Sequence, residues 1–239
     1  MAFRIGALLI GNPNVEPKLP GVISDVNAMK EYLISNRGGA WEAAEVHIIL
    51  NQSAAAIRDK VSQFKGYDFL FTLVAGHGEH RLSVNDTVLC TSNTEVLAIN
   101  DIVAECKRQL IIVDVCRKVV DDRILKFAMD SARTSALSET STFLQRFRHR
   151  ARYIELLQGT SEGVLKFYSC DLNQTAGDDG SGGYYTKMLL SLAETSGKTT
   201  DIYSLHQATK PGVLRQNPPQ APTENIGRRR DFPPFAVTI

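Results

Sequence analysis

Two reactive residues each follow an apolar run, as a nucleophile and its base would if neighbouring strands delivered them. His77 lies between two glycines after the run 69–75, and Cys116 follows the run 110–115. Such runs are typical of buried parallel strands, and open α/β folds bind ligands at the carboxyl ends of those strands. A thiol attacks a carbonyl only as thiolate, so it needs a base nearby. The pair therefore predicts nucleophilic catalysis.

The backbone around these two residues has a candidate role as well. The glycines beside His77 allow close approach to a substrate, and the N–H groups of Gly78 and Cys116 are candidates for an oxyanion hole. Each residue alone has an ordinary alternative, because a strand cysteine is more often a small apolar residue and a Gly-His-Gly can be a solvated turn. Their coincidence at two strand ends favours catalysis.

Composition predicts one globular domain over residues 1–239, without a nucleic-acid or membrane signature. The chain is 43% hydrophobic and 22% charged, with a formal net charge of +1. No apolar run approaches the roughly 18 residues of a membrane helix and no secretory signal is visible, so we expect a cytoplasmic protein. The cysteines show no CxxC spacing and the histidines do not match them at ligand spacing, which predicts reduced thiols, no metal and no cofactor.

Alternating strand and helix patterns predict a mainly parallel, doubly wound sheet with right-handed crossovers. The expected strands are 3–10, 46–50, 68–75, 110–115 and 164–170, and the expected helices are 22–33, 53–64, 99–106 and 181–193. We interpret 233–239 as a last strand at the sheet edge, where prolines are tolerated.

A basic segment separates Cys116 from the later elements. We expect residues 117–163 to form a long mobile loop with one helix near 142–157. The run Arg228-Arg229-Arg230 is a candidate nucleic-acid contact, but the near-zero net charge favours a solvated loop, and we expect no nucleic-acid partner.

The motifs Ala75-Gly76-His77-Gly78 and Asp114-Val115-Cys116-Arg117 resemble the caspase-like cysteine peptidases, especially metacaspases and prokaryotic orthocaspases. The similarity continues at 21–25, 168–171, 174–176 and 183–190. It implies a three-layer αβα sandwich and a cysteine endopeptidase. It also implies that His77 is the general base and acid, that Cys116 is the nucleophile, and that a protein or peptide substrate passes through an acyl-enzyme thioester.

The resemblance also implies a specificity pocket for the substrate residue before the cut bond, called P1. In the metacaspase branch two acidic residues bind a basic P1 side chain, and they map to Asp25 and Asp114. Two carboxylates pair well with Arg or Lys and reject an acidic side chain. Ser169 is a further candidate to line this pocket. The alternatives are that Asp25 stabilises the start of a helix and that Asp114 orients the turn at Cys116.

Some positions depart from the family pattern. Val115 and Lys118 break the animal caspase signature, although Arg117 keeps an Asp preference at P1 open as an alternative. Calcium activation is not predicted, because the acidic stretch usual after the histidine is missing, but Asp121 and Asp122 leave it open.

Cleavage of its own chain would be one route to activation. If the P1 preference is basic, arginines of the 117–163 segment become candidate processing sites: Arg123, Arg133, Arg146, Arg148, Arg150 and Arg152. The alternative is a solvated basic loop. The resemblance further suggests a zymogen, an activating protease or regulatory protein, a homodimer, and an effector role in bacterial defence or cell death. The rivals are a catalytically silent interaction module and a nucleotide-binding flavodoxin-like domain, which would need a Gly-rich loop after the first strand.

Overall fold

A six-stranded sheet carries the fold in the computed structural model, which describes residues 3–120, 143–216 and 219–239. The strands are β1 (Ile5–Asn12), β2 (Val46–Leu50), β3 (Phe69–Gly76), β4 (Gly78–Arg81), β5 (Asp86–Cys90), β6 (Val96–Ala98), β7 (Arg108–Val115), β8 (Val119–Val120), β9 (Gly163–Tyr168), β10 (Thr200–Asp201), β11 (Thr223–Asn225) and β12 (Pro234–Ala236). The helices are α1 (Gly21–Ile34), α2 (Ala54–Ser62), α3 (Phe143–Gln158), α4 (Tyr184–Thr195) and α5 (Ile202–Leu214).

The main sheet has the order β11-β9-β7-β3-β1-β2. Its first five strands in sequence pair in parallel, and β11 is antiparallel to β9 at the edge. Strands β1 and β3 are buried along their whole length, which explains why their sequences are continuous apolar runs rather than alternating ones. The predicted mainly parallel, doubly wound sheet is confirmed.

Alternate residues of each strand feed two separate cores. Ala7 and Leu9 of β1 pack with α1, α3, α4 and α5 on one face of the sheet. Leu8 and Ile10 pack on the other face with α2 and with β5 and β6 of a small sheet whose order is β6-β5-β4-β8. This period of two follows from strand geometry and gives the three-layer sandwich. No helix in the described part of the chain is long and apolar enough to cross a membrane.

The helix predicted at 99–106 is wrong. A single 3-10 turn, Ile99–Ile102, replaces it, and extended chain leads from there to β7. The buried Gln109 side chain supports this segment, since it accepts from the Ala104 N–H at 2.8 Å and donates to the Ile102 carbonyl at 2.9 Å. The apolar spacing arose from burial of a turn, and a side chain supplies the hydrogen bonds that a helix would have made.

The expected mobile loop at 117–163 is also corrected where the structure describes it. Residues 143–158 form α3, which confirms the predicted helix and buries Tyr153 and Leu157 in the core. Residues 119–120 form β8, which pairs with β4. Residues 121–142 lie outside the described part of the chain.

The C-terminal part differs from prediction in two ways. Helix α5 was not expected, because it contains Pro211; the buried Leu205, Thr209 and Val213 hold it against the core. Strand β12 pairs with β10 in a two-stranded ribbon, so the 233–239 segment is not the edge of the main sheet. That edge is β11, which lies earlier in the chain.

Candidate active site

Strand register brings His77 and Cys116 to the same point of the sheet. In the parallel pair β3 and β7, Gly76 lies opposite Val115, and the next residue on each strand is His77 or Cys116. Neighbouring strands are about 4.8 Å apart, so the two side chains leave the sheet as neighbours. Gly76 has a φ of 149°, which favours glycine and turns the chain out of β3.

Gly78 fixes the hairpin against the end of β7. A Cβ at this position would lie 2.5 Å from Cγ2 of Val115 and 2.6 Å from the Val88 carbonyl oxygen. Only a glycine fits such contacts. The backbone of Gly78 therefore lies directly beside the residue that precedes Cys116, which is where an oxyanion hole would need it.

A backbone carbonyl orients the imidazole of His77. The ring is half-buried, and its Nε2 bonds to the Pro17 carbonyl oxygen in the loop after β1. A carbonyl only accepts, so Nε2 carries the proton in that bond and Nδ1 of the neutral ring keeps a lone pair. The loop between β1 and α1 thus sets the tautomer of the ring.

The Cys116 side chain is half-buried and protonated at rest. Its Sγ donates to the Ala176 carbonyl at 3.7 Å. Burial raises the pKa of the thiol, and the charge of Asp114 raises it further, while the bond to Ala176 works against them. Burial also raises the pKa values of Cys90 and Cys106 to about 11 and that of Cys170 to about 12. The four cysteines, Cys90, Cys106, Cys116 and Cys170, carry free thiols in this structure.

Asp25 and Asp114 form a buried acidic pair beside the thiol. Both oxygens of Asp25, on α1, accept from the Gly183 N–H at 2.9 and 3.1 Å. Asp114 accepts from the Thr186 hydroxyl at 2.6 Å and from its N–H at 3.3 Å. Burial raises both pKa values, that of Asp25 well above its usual range, and the charge of Asp114 adds to the rise at Asp25.

Ser169, the further candidate for this pocket, lies beside Asp114. It is fully buried at the end of β9, where its N–H donates to the Val113 carbonyl at 2.9 Å. Its hydroxyl faces Asp114 and helps to lower the pKa of that carboxyl, although Oγ has no hydrogen bond of ordinary geometry to any described residue. Ser169 is therefore placed where it would line a pocket next to Asp114.

A third carboxylate, which the sequence did not reveal, lies beside the pair. The negative charge of Asp178 raises the pKa values of both Asp25 and Asp114. Its Oδ2 would be 2.1 Å from a Cβ at Gly21, the first residue of α1. The only clue in the sequence was its place in a glycine-rich stretch before a helix.

Arg117 has a structural position rather than an open one. Its buried guanidinium donates to the Thr87 hydroxyl, the Cys170 carbonyl and the Thr223 hydroxyl at 3.0 to 3.1 Å. It also lies 4.0 Å from the centre of the Tyr168 ring. These contacts tie the turn after Cys116 to β5, β9 and β11, so this cation does not face the acidic cluster.

The candidate processing sites are placed unevenly. Arg123 and Arg133 lie outside the described residues, and the other four lie on α3 rather than in a loop. Arg146 donates to the Ile34 and Trp41 carbonyls, Arg150 pairs with Glu45, and Arg152 pairs with Glu155. Outside α3, Arg229 donates to the Ser161 and Glu162 carbonyls, so the arginine run near the C-terminus packs against the turn before β9.

A sandwich of this topology, with a thiol and an imidazole at adjacent strand ends, defines a cysteine peptidase of the α/β type. A family model described as a caspase domain matches residues 4–233, and the chain belongs to that family. It is a caspase-like cysteine-type endopeptidase, and the family acts on protein substrates.

Among solved structures, the chain is similar to caspase-1 from Spodoptera frugiperda. The two share 14% sequence identity over 93% of this chain and 88% of that chain, with a TM-score of 0.61. A likeness at this identity shows a common fold. No curated protein sequence matches the chain.

Proposed function

We propose that this peptidase cuts protein substrates after Arg or Lys, with His77 and Cys116 as its catalytic pair. The observation that carries the proposal is the buried pair of Asp25 and Asp114. Asp114 lies on β7 and Cys116 directly follows that strand, and the charge of Asp114 is close enough to raise the pKa of the Cys116 thiol. A pocket built on these carboxylates therefore lies next to the nucleophile.

The chemistry follows from the atoms that the strands bring together. Nδ1 of His77 takes the proton from Sγ of Cys116, and the thiolate attacks the carbonyl carbon of the substrate. The N–H groups of Gly78 and Cys116 stabilise the negative charge that forms on the carbonyl oxygen. The imidazolium then gives its proton to the leaving amine, and a thioester remains on Cys116. Water, deprotonated by the same imidazole, hydrolyses the thioester and restores the thiol.

The Pro17 carbonyl supports this sequence of steps. It accepts from the Nε2–H of the ring, so Nδ1 is the nitrogen that carries the lone pair and takes the proton of the thiol. It also stabilises the imidazolium that forms when Nδ1 takes the proton, because both ring nitrogens are then donors.

Electrostatics favours a basic P1 side chain over an acidic one. The charge of Asp114 raises the pKa of Asp25, and the charge of Asp178 raises the pKa of both carboxyls, so negative charge is concentrated at this cluster. A guanidinium or ammonium balances that charge and forms strong hydrogen bonds in a site shielded from water. An Asp side chain would add a further negative charge. Arg117, the residue that kept an Asp preference open, is engaged elsewhere.

The wider role follows from the family resemblance. We infer an effector in a bacterial defence or cell-death system, held as a cytoplasmic zymogen and released by a protease or regulatory protein. Of its candidate processing sites, Arg123 and Arg133 are favoured, because the other four lie within the hydrogen-bonded backbone of α3.

The test is hydrolysis of fluorogenic peptides that differ only in P1, with Arg, Lys, Asp or norleucine. We expect cleavage after Arg and Lys, and loss of activity in Cys116→Ala and in His77→Ala. Cys106→Ala is the matched control, since Cys106 is a half-buried thiol before β7, at the opposite end of that strand. Activity that survives in Cys116→Ala, or faster cleavage after Asp, would contradict the proposal. A folded wild type that cleaves none of the peptides would favour the silent interaction module.

A further inference from the structure

Residues 177–183 form a short hairpin that we call the glycine strap. Four of its seven residues are glycines, and it connects the segment that binds the Cys116 thiol to α4. An antiparallel bridge between Asp178 and Gly183 closes it. At its start the Gly177 N–H donates to the buried Gln220 side chain at 2.6 Å, and Gln220 donates in turn to the Ser169 carbonyl at 3.0 Å.

The strap lies directly over the acidic pair. A Cβ at Gly182 would be 2.5 Å from Oδ1 of Asp25, and a Cβ at Gly183 would be 2.5 Å from Oδ2 of Asp114. The Gly183 N–H occupies both oxygens of Asp25. In this conformation Asp25 and Asp114 are 4% and 6% exposed, so a substrate side chain has no direct way to them.

A lysine on α4 holds the strap down. Nζ of Lys187 contacts Oδ2 of Asp179 at 2.6 Å and Oγ of Ser181 at 2.8 Å. Burial alone would raise the pKa of the Asp179 carboxyl, but Lys187 together with the hydroxyl and N–H of Ser181, which both donate to Asp179, lower it to about 2. Asp178, next to Asp179, lies against the first residue of α1. The strap is thus fastened to α4 by an ion pair and packed against α1.

We propose that Lys187 is a positioning residue that holds the glycine strap over Asp25 and Asp114, and that a basic P1 side chain enters by displacing the Gly183 N–H from Asp25. This inference rests on the proposed preference for Arg or Lys. An apolar side chain has no donor to replace that N–H, and a neutral polar one cannot form the charge-assisted hydrogen bonds that a guanidinium or ammonium forms. The strap therefore raises the discrimination in favour of basic residues, because part of the substrate's binding energy goes into opening it.

The ion pair between Lys187 and Asp179, which we call the tie, is partly exposed, and this exposure limits its strength. The side chains of Lys187 and Asp179 are 40% and 43% exposed. Exposed ion pairs shift an equilibrium by about two- to five-fold. Loosening the tie is expected to lower KM for an Arg peptide by that factor and to leave kcat unchanged, since the strap opens before the chemistry begins.

Two single variants separate the strap from simple charge repulsion. Lys187→Gln removes a cation near the pocket, whereas Asp179→Asn removes an anion, yet both break the same tie. We expect both to lower KM two- to five-fold, with no further gain in the double variant. Lys198→Gln and Asp59→Asn, which change exposed charges outside the strap, are expected to behave as wild type. A lower KM in Lys187→Gln with a higher KM in Asp179→Asn would show a simple charge effect and overturn the proposal.

A binding measurement keeps the strap and the proposed function apart. Calorimetry with agmatine, a free guanidinium probe, on Cys116→Ala and on Cys116→Ala with Asp179→Asn measures the pocket without turnover. Two- to five-fold tighter binding in the second protein supports the strap. Equal binding overturns it, even where Arg peptides are cleaved. No agmatine binding to either protein, together with no preference for Arg peptides, would refute the acidic pocket itself. Asp179→Ser, which also breaks the ion pair with Lys187, replaces Asp179→Asn if that variant fails to fold.

Discussion

The substitution Asp25→Asn distinguishes a role of Asp25 in substrate specificity from a role in holding the fold together. Asparagine keeps the shape of the side chain and an oxygen for the Gly183 N–H, but it removes the negative charge. A buried carboxylate with a raised pKa costs the folded state free energy when it is ionised. The substitution is therefore expected to lower activity while it maintains or raises stability.

The size of the activity loss follows from the burial of the pair. Removing one partner of a buried, hydrogen-bonded charge pair costs about 2–5 kcal/mol. Asp114 stays in place and still attracts the substrate cation, so we expect the lower end of that range. A loss of about 2–3 kcal/mol corresponds to a fall of about 30- to 150-fold in kcat/KM for an Arg peptide.

The direction in which stability changes with pH gives a second test of the raised pKa of Asp25. The pKa of Asp25 is raised in the folded state, so its contribution to stability is full below pH 3.8, its usual value, and is lost as the pH rises through the folded pKa. The advantage of Asp25→Asn is therefore largest at neutral pH and closes as the pH falls towards 3.8. Urea unfolding at several pH values measures it, with Asp59→Asn as the control.

A loss of both stability and activity in Asp25→Asn would refute the role of Asp25 as a specificity residue. That result would mean that the carboxylate holds α1 and the strap in place, which is the helix-start alternative. An unchanged ratio of Arg to norleucine cleavage in a stable Asp25→Asn protein would refute the pocket equally well.

Three further perturbations test other parts of the site. Gly78→Ala places a methyl group 2.5 Å from the Val115 side chain and is expected to destabilise the fold by about 1–3 kcal/mol; an unchanged melting temperature would contradict this. Burial lowers the pKa of His206 from 6.5 to about 4. The contribution of this residue to the free energy of unfolding is therefore full above pH 6.5 and falls by about 3 kcal/mol as the pH drops towards 4. Urea unfolding at several pH values measures this fall, and His206→Gln is expected to lack it. The raised pKa of Cys116 predicts slow alkylation by iodoacetamide at pH 7 and a rate that still rises above pH 9; faster reaction at pH 7 than a free cysteine would disagree.

The strands that precede His77 and Cys116 can be predicted from the sequence, because buried parallel strands are apolar along their whole length. The strands β3 and β7 are neighbours in the structure, with Gly76 opposite Val115, so the two residues follow adjacent strand ends. Asp25 and Asp114 came from the family resemblance, since their 89-residue separation has no meaning until α1 packs beside the sheet.

Other contacts of the site cannot be predicted from the types of the residues that make them. The Pro17 and Ala176 groups that bond His77 and Cys116 are backbone carbonyls, which every residue carries. The β4–β5 hairpin is not predicted, because the residues of β4 are polar. Helix α5 is not predicted either, because it contains Pro211 and a proline ordinarily ends a helix. At 99–106 the apolar spacing suggested a helix, and only the position of Gln109 explains why there is none.

Covalent labelling tests the central claim most directly. A peptidyl chloromethyl ketone with Arg at P1 alkylates the nucleophile of a cysteine peptidase, and peptide mapping by mass spectrometry locates the added mass. We predict modification of Cys116 alone among the four cysteines, dependent on His77 and much slower with Asp at P1. Label on Cys90, Cys106 or Cys170, or equal labelling by the Arg and Asp reagents, would contradict the account.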